Sequence, residues 1–290
     1  MTDPLVSVVM VSYHTGPCLQ SALEAALAQP APLELILVDN GNPDDVRAGL
    51  AALAAREPRL HLVAGHGNIG FARGSNLGAR RARGRYLLVL NPDTELSPDA
   101  VARLVAEGER LSRPWLLGPR ILNPDGSEQR GDRRGVLTPG RAIVEGIGLY
   151  RLLPVARFNR EGEPLPAATA PVAVVSGAAM FLTRDDFWAV GGFDERYFLH
   201  VEDIDFCYRF TRAGGRVFFA PHVTVTHHRG SSRASPVVVE WHKTRGFLRY
   251  FWTHFRTPRH MTPLALASAG VLARFGASVM LAAVRRLFRC

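Results

Sequence analysis

Near-continuous apolar runs, each ending at polar or turn-forming residues, organise the first third of the chain: Val6 to Val11, Leu35 to Val38, Leu60 to Val63 and Leu87 to Leu90. Runs of this kind read as strands covered on both faces, as in the middle of a parallel sheet. Between them, the Ala- and Leu-rich stretches Cys18 to Gln29 and Ala48 to Arg56 read as helices, with Pro30 and Pro32 closing the first. Strand, helix and strand in succession make a βαβ unit, whose crossover is expected to be right-handed. Gly70, Gly74 and Gly78 fall at helical spacing and leave one bare face for a close backbone neighbour. Ser97-Pro98-Asp99 opens a further helix. From Arg130 to Pro171 the pattern loosens into a long irregular excursion over the active face. Strand character resumes at Val172–Val175 and runs into Ser176–Leu182, followed by a helix from about Arg184, a turn at Gly191-Gly192-Phe193-Asp194, and strands at Val217–Ala220 and Val223–Val225.

The end of the chain changes character. Trp241 to Phe255 mixes aromatics with Lys243, Arg245 and Arg249 at amphipathic-helix spacing. Leu264 to Ala283 is almost wholly apolar, with Arg274 near its middle and Arg285, Arg286 and Arg289 beyond. It is long enough to span a bilayer, but a central arginine costs about 2.5–3.5 kcal/mol on insertion scales. Two readings stay open: a helix lying in the membrane interface, or one packing on protein.

The 290 residues suffice for a large domain with an appendage, and 47% hydrophobic against 21% charged residues excludes a disordered chain. A formal net charge of +9 and a pI near 10.3 favour anionic partners such as nucleotides or phospholipid head groups. The basic residues are dispersed and carry no nucleic-acid recognition motif, so no nucleic-acid partner is expected. Cys18, Cys207 and Cys290 lack metal spacing and read as free thiols. Met1-Thr2-Asp3-Pro4 carries no secretory signal, which implies a cytoplasmic location.

Chemistry is expected where strands end. Asn91-Pro92-Asp93-Thr94-Glu95 follows the fourth apolar run, and Pro92 stops the ladder there. A carboxylate at that position is placed either to hold a divalent cation and, through it, a diphosphate, or to close a turn. Glu202, Asp203 and Asp205 crowd together after an aromatic run, and such acids repel unless a cation or proton is shared nearby. No dinucleotide fingerprint is present, which argues against a dehydrogenase or methyltransferase.

Several segments taken together resemble the family 2 inverting glycosyltransferases of GT-A fold, particularly the rhamnosyltransferase-like branch that builds cell-surface polysaccharides. They are Val8-Val9-Met10-Val11-Ser12-Tyr13, Val38-Asp39-Asn40, Asn68-Ile69-Gly70-Phe71-Ala72, Leu90-Asn91-Pro92-Asp93, Gly191-Gly192-Phe193-Asp194-Glu195, Glu202-Asp203-Ile204-Asp205 with Arg209, and His227 with Gly230 and Ser232. The resemblance implies an α/β fold, a mixed and mainly parallel Rossmann-like sheet flanked by helices. Residues 1–236 would form the nucleotide-sugar transferase domain, with 130–171 on the acceptor side; beyond the reach of the resemblance, the basic and apolar residues of 237–290 read as a C-terminal helical segment that either rests on an anionic membrane surface at the inner face or packs on protein.

By the same resemblance, Ser12, Tyr13, Asp39, Asn68 and Arg73 line the nucleotide pocket of a UDP- or dTDP-sugar. Asp93 and His227 hold Mg2+ or Mn2+, with His228 next in register, and one of Glu202 and Asp203 is the general base. Gly177 lets the acceptor approach, and Asp194 holds a sugar hydroxyl or simply makes a turn. The implied reaction moves a hexose or deoxyhexose to a glycan or lipid-linked acceptor. One departure stands out: the family's first metal acid is Asn91 here, which keeps open the alternative of a catalytically inactive nucleotide-sugar-binding protein.

Overall fold

A computed structural model describes residues 4–152, 157–230 and 235–287. Met1 to Asp3, Ser232, Arg289 and Cys290, which enter the sequence reading, lie outside the described residues, as do the side chains of Arg285 and Arg286.

The elements run β1 (Val6–Ser12), α1 (Cys18–Leu27), β2 (Leu33–Asp39), α2 (Asp44–Arg56), β3 (Leu60–Val63), α3 (Phe71–Ala79), β4 (Tyr86–Leu90), β5 (Thr94–Leu96), α4 (Ala100–Glu109), β6 (Trp115–Leu122) and β7 (Arg133–Arg134). They continue with α5 (Pro139–Gly146), β8 (Ala170–Pro171), β9 (Val174–Val175), β10 (Ala179–Thr183), α6 (Arg184–Ala189), α7 (Glu202–Arg212), β11 (Arg216–His227), α8 (Pro236–His254) and α9 (Met261–Leu287). The main sheet has the order β3-β2-β1-β4-β10-β6-β11-β5, and β8 is added to β11. The half formed by β3, β2, β1 and β4 is parallel, β10 runs against both its neighbours, and β6 and β11 are parallel to each other. This mixed sheet between helices is the architecture expected.

Every residue of β1, β2 and β4 is buried, as their near-continuous apolar runs require, with the polar Ser7 and Glu34 bonded to each other. The bare face of α3 lies on β1 and β2: a Cβ on Gly78 would stand 2.5 Å from Val9 Cγ1, and one on Gly74 2.9 Å from Val11 Cγ1. The helix can therefore sit one methyl group closer to the sheet than any other residue would allow.

Some elements differ from the pattern-based reading. β6 was not anticipated, because its Leu-Leu-Gly-Pro-Arg-Ile-Leu stretch mixes apolar residues with breakers. The two strands expected around Pro221 are one, β11, whose register against β6 shifts between Ala220 and Thr224, where the proline has no N–H to give. The segment 130–171 is not irregular throughout. Thr138 caps α5 by accepting from the Arg141 N–H, Pro139 sits in its first turn, and β7 pairs with β9 as a second, small sheet.

At the C-terminal end, α8 contributes Tyr250 and Phe251, and the residue after it Phe255, to the same core as the sheet. It is tied there by His254, whose Nε2 lies 2.7 Å from Asp205 Oδ1. Asp205 is buried on α7 and also accepts from Arg209 Nε at 2.6 Å and from the Tyr197 hydroxyl at 3.2 Å. α9 lies along α8 through Arg274–Glu240 (2.6 Å), Trp241–Phe275 ring contact and a Trp252–Ser268 hydrogen bond. It also packs against α5. The stretch Pro258–Val284, which takes in most of α9, is long and apolar enough to cross a membrane, with a hydropathy of 1.7, and only 11% of its apolar 18-residue window is buried.

Candidate active site

The strand ends gather the expected residues at one edge of the sheet. β1, β2 and β4 run parallel, so Ser12, Asp39 and Asn91 leave the sheet on the same side. Antiparallel β10 begins at that edge, where the Asn91 N–H donates to the Ala178 carbonyl at 2.9 Å. β11 ends there with His227.

The end of β1 and β2 is a hydrogen-bonded cradle. Asp39 Oδ1 accepts from the N–H groups of Gly41 (3.1 Å) and Asn42 (2.9 Å) and from Asn42 Nδ2 (2.9 Å). Asn42 also bonds Ser12 and takes the His14 N–H at 2.8 Å. Asn40 Nδ2 donates to Asn68 Oδ1 at 2.9 Å, which joins the loop before α3 to the cradle. Gly41, at φ +107°, stands between Tyr13 and Asn68, where a Cβ would point at both. Ser12, Tyr13, Asp39 and Asn68 therefore converge. Arg73 does not join them: it is exposed on α3, 3.7 Å from Glu195. Asn40 and Asn42 were not singled out as site residues from the sequence, although Asn40 stands in the quoted Val38-Asp39-Asn40 segment.

At the end of β4 and β11, Asp93 Oδ1 lies 3.2 Å from His227 Nε2, and both side chains are nearly buried. The histidine tautomer follows from its other partner. Gln129 Nε2 donates to Asn123 Oδ1 (2.9 Å) and to the His227 carbonyl (3.0 Å), so its Oε1 must face His227 Nδ1, 2.7 Å away. Nδ1 then carries a proton, and in the neutral ring Nε2 would present a lone pair toward Asp93. Asn91 Nδ2 stands 3.4 Å from the same atom. A lone pair facing a carboxylate suits a shared cation: with bonds of about 2.1 Å, adjacent corners of an octahedron are about 3 Å apart. The donor set, one carboxylate and one imidazole backed by an amide, fits Mn2+ or Mg2+. Among the described residues no group of three or more His, Cys, Asp or Glu is placed to hold a metal. The remaining positions would be left to water and substrate oxygens. His228 is separately occupied, 2.8 Å from Glu95, so the register favours His227.

The acidic pair sits at the start of α7. His200 and Val201 both have positive φ, +66° and +73°, and this strained turn delivers Glu202 and Asp203 to the helix amino terminus. Gly70 and Gly246 hold the turn from two sides: a Cβ on Gly70 would lie 2.6 Å from the Phe198 carbonyl, and one on Gly246 3.0 Å from that of His200. Asp203 Oδ2 accepts from Arg134 Nη2 at 2.5 Å and from the Gly177 N–H at 3.0 Å, and Oδ1 from the Ile204 N–H at 2.8 Å. Burial alone would raise the Asp203 carboxyl; Arg134 and the two N–H groups outweigh it and hold the group below its ordinary value. Glu202 goes the other way. Burial first, then the Asp203 charge, push its carboxyl well above the usual range, and its Oε2 is buried without a hydrogen-bond partner among the described residues.

Gly177 is used here by the protein itself, since a Cβ on it would lie 3.1 Å from that of Asp203. Asp194 makes a turn: it accepts from the Arg196 N–H at 3.0 Å and pairs with that guanidinium at 2.7 Å. Gln129 and Arg134 were missed from the sequence. Both lie in or beside the stretch read as irregular, and no local pattern marks them.

Comparison with known proteins identifies the family and the fold. The chain is 32% identical over 246 residues to N-acetylglucosaminyl-diphospho-decaprenol L-rhamnosyltransferase of Mycobacterium tuberculosis, covering 80% of this chain and 78% of that protein. It is 24% identical to Rhamnosyltransferase WbbL of Escherichia coli K12, covering 82% of this chain and 89% of the other. Among solved structures, the mannosyltransferase PcManGT from Pyrobaculum calidifontis, in complex with GDP-Man and Mn2+, superposes with a TM-score of 0.57 at 19% identity, over 99% of this chain and 81% of that one. GalNAc-T7 with UDP, GalNAc and Mn2+ gives a TM-score of 0.64 at 16% identity, over 86% of this chain but only 48% of the other. These neighbours share the GT-A fold. The family model described as glycosyl transferase family 2 matches residues 7–162, and the chain belongs to that family.

Proposed function

We propose that the protein transfers a hexose or deoxyhexose such as rhamnose, with inversion, from a UDP- or dTDP-sugar to a glycan or lipid-linked acceptor in cell-surface polysaccharide synthesis. The observation that carries this reading is the Asp93–His227 pair, 3.2 Å apart, at the sheet edge that also holds the Ser12–Asp39 cradle and the Asp203 carboxylate. The mycobacterial relative is named for a rhamnosyl transfer to a diphospho-lipid sugar, which supports the donor and acceptor classes. Asp39, whose Oδ1 is already committed, would receive a base N–H; Tyr13 would lie against the base and Asn68 would bond the nucleoside. Asp93 and His227 would hold Mg2+ or Mn2+, which when bound neutralises the leaving diphosphate. Arg73 is expected to bond a phosphate only on leaving Glu195.

Of the two acids, Asp203 fits the base. It is ionised at neutral pH, and a carboxylate with three donors on its two oxygens keeps lone-pair capacity for an acceptor hydroxyl. Glu202, neutral in its buried site, would donate rather than accept. In-line displacement requires only one such base. We place the enzyme in the cytoplasm, with α9 resting on the inner membrane face.

The test is diphosphate release across a panel of nucleotide sugars with Mn2+, for the parent chain, Asp203→Asn and Glu202→Gln. Loss of about 10²–10⁴-fold in kcat is expected for Asp203→Asn. If that variant turns over normally while Glu202→Gln is dead, the base assignment is wrong. If no nucleotide sugar is consumed by the parent, the binding-only alternative stands.

A further inference from the structure

The cradle at the ends of β1 and β2 and the acid pair at the start of α7 are joined through one helix, α3. This helix begins in the cradle: Asn68 accepts the N–H of its capping residue Gly70 at 3.1 Å and is bonded to Asn40. Its glycine face fixes it to the strands that end there. A Cβ on Gly74 would meet Val11, next to Ser12, and one on Gly78 would meet Val38, next to Asp39. Asn76 stands about 200° around the helix from both glycines and so points away from the sheet.

What Asn76 meets there is the segment 190–201, which joins α6 to α7 and leads through the strained His200–Val201 turn into Glu202 and Asp203. The Asn76 side chain is buried, and both of its N–H donors are used. Nδ2 donates to the Phe193 carbonyl at 2.8 Å and to Glu195 Oε1 at 3.1 Å, while Oδ1 accepts the Phe193 N–H at 3.0 Å. These partners fix which way the amide faces, because a carbonyl only accepts and an N–H only donates. Gly192, at φ +67°, leaves room for it: a Cβ there would lie 2.7 Å from Asn76 Oδ1. A second tie from the same helix is the Phe71 N–H, which donates to the Phe198 carbonyl at 2.7 Å. From the other side, Arg209 of α7 donates to the Val190 and Gly192 carbonyls at 2.6 and 2.8 Å. The segment is held between α3 and α7.

We propose that Asn76 is a positioning residue for the transfer: by tying the segment that carries the acids to the helix rooted in the cradle, it sets the distance from the bound donor to the Asp203 carboxylate. This rests on the glycosyl-transfer reading and adds a residue that acts through the turn rather than on the sugar. Without the amide, the N–H and carbonyl of buried Phe193 lose their partners, and the segment must shift to satisfy them. A displacement of about 1 Å at a reacting group costs on the order of 10²-fold in rate.

The test compares the full parent chain with Asn76→Leu and Asn76→Asp in steady-state diphosphate release, alongside calorimetric binding of UDP or dTDP with Mn2+. Asn76→Leu, near in size but without the amide, should lose about 10²-fold in kcat while its nucleotide affinity is unchanged. Asn76→Asp keeps an acceptor for the Phe193 N–H but sets a charge against the Phe193 carbonyl and Glu195. Its kcat relative to the parent should recover as pH falls, because a protonated carboxyl can donate to that carbonyl again. A residue that merely stabilised the fold would give neither the loss confined to kcat nor this recovery, with all assays run well below each variant's melting temperature. The proposal is overturned if Asn76→Leu turns over like the parent, if nucleotide affinity falls as far as kcat, or if Asn76→Asp is equally impaired at every pH. Nucleotide binding certifies that a variant is folded, and if both variants lose it, Asn76 serves the fold or the cradle and the proposal falls. A parent chain that consumes no nucleotide sugar refutes the transfer reading itself, before either variant is judged.

Discussion

Replacing Gly246 by alanine should separate activity from stability. In α8, a Cβ at this position would stand 2.9 Å from Val201 Cγ2, 3.0 Å from the His200 carbonyl oxygen and 3.1 Å from Val201 Cβ. Comfortable carbon contacts are about 3.5–4.0 Å, so the neighbours must withdraw by roughly 0.5–1 Å. They cannot do so freely, because His200 and Val201 already hold positive φ and the other side of the turn is clamped by Gly70. Overpacking of this kind costs about 1–3 kcal/mol, and the better helix propensity of alanine returns about 1 kcal/mol. The net loss of stability is therefore about 0–2 kcal/mol. The same displacement moves Glu202 and Asp203, the next two residues, and a 1 Å misplacement of a reacting group costs on the order of 10²-fold in rate. The assay pairs thermal unfolding with steady-state transfer, and Gly276→Ala serves as control, since nothing lies within 4 Å of a Cβ there. Gly276→Ala should be as stable as the parent or more so and fully active. Wild-type kcat in Gly246→Ala, with melting temperature unchanged or raised, would refute the claim that α8 seats the catalytic turn.

Gln129→Leu removes the acceptor that sets the His227 tautomer, and the Mn2+ concentration for half-maximal activity should rise 10–100-fold, as measured by metal titration. Arg134→Met should move the acid limb of the kcat/KM profile to higher pH, since Asp203 then protonates more readily. The sign for stability is parallel: a depressed carboxylate stabilises the fold above its unfolded pKa and loses that contribution as pH falls through the folded value, so acid unfolding of Arg134→Met should begin at higher pH. Gly78→Ala places a Cβ 2.5 Å from Val9 Cγ1 and should destabilise by at least about 1–3 kcal/mol, read from urea denaturation. Chelation with EDTA should weaken UDP or dTDP binding in calorimetry, because Asp93 and His227 would then face the diphosphate without a cation between.

The parallel half of the sheet was legible because burial on both faces leaves a direct mark, a near-continuous apolar run, and β1, β2 and β4 carry it. The glycine spacing of α3 was legible for a related reason: close approach demands a missing side chain, and absence at helical period is visible in a linear string. Asp93 stood out by its place at a strand end and Asp203 by its crowding with other acids, His227 came from resemblance, and their convergence at one sheet edge is a product of topology that no local window contains. Gln129 and Arg134 stayed hidden because their roles depend on where a breaker-rich segment folds back, and such segments lack periodicity. His228 and Asp194 look as reactive as their neighbours in the string. Only their partners, Glu95 and Arg196, give them other occupations.

The buried carboxylate of Asp205 has a bearing on gene engineering. Two of its three donors, Arg209 and Tyr197, belong to the transferase core, but the third, His254, comes from the tail. Trimming the gene before α8 would remove Tyr250 and Phe251 from the core and strip a hydrogen-bond donor from a buried carboxylate. A minimal catalytic fragment should therefore be cut after residue 255, keeping the histidine, with the apolar helix beyond it as the piece that can be exchanged.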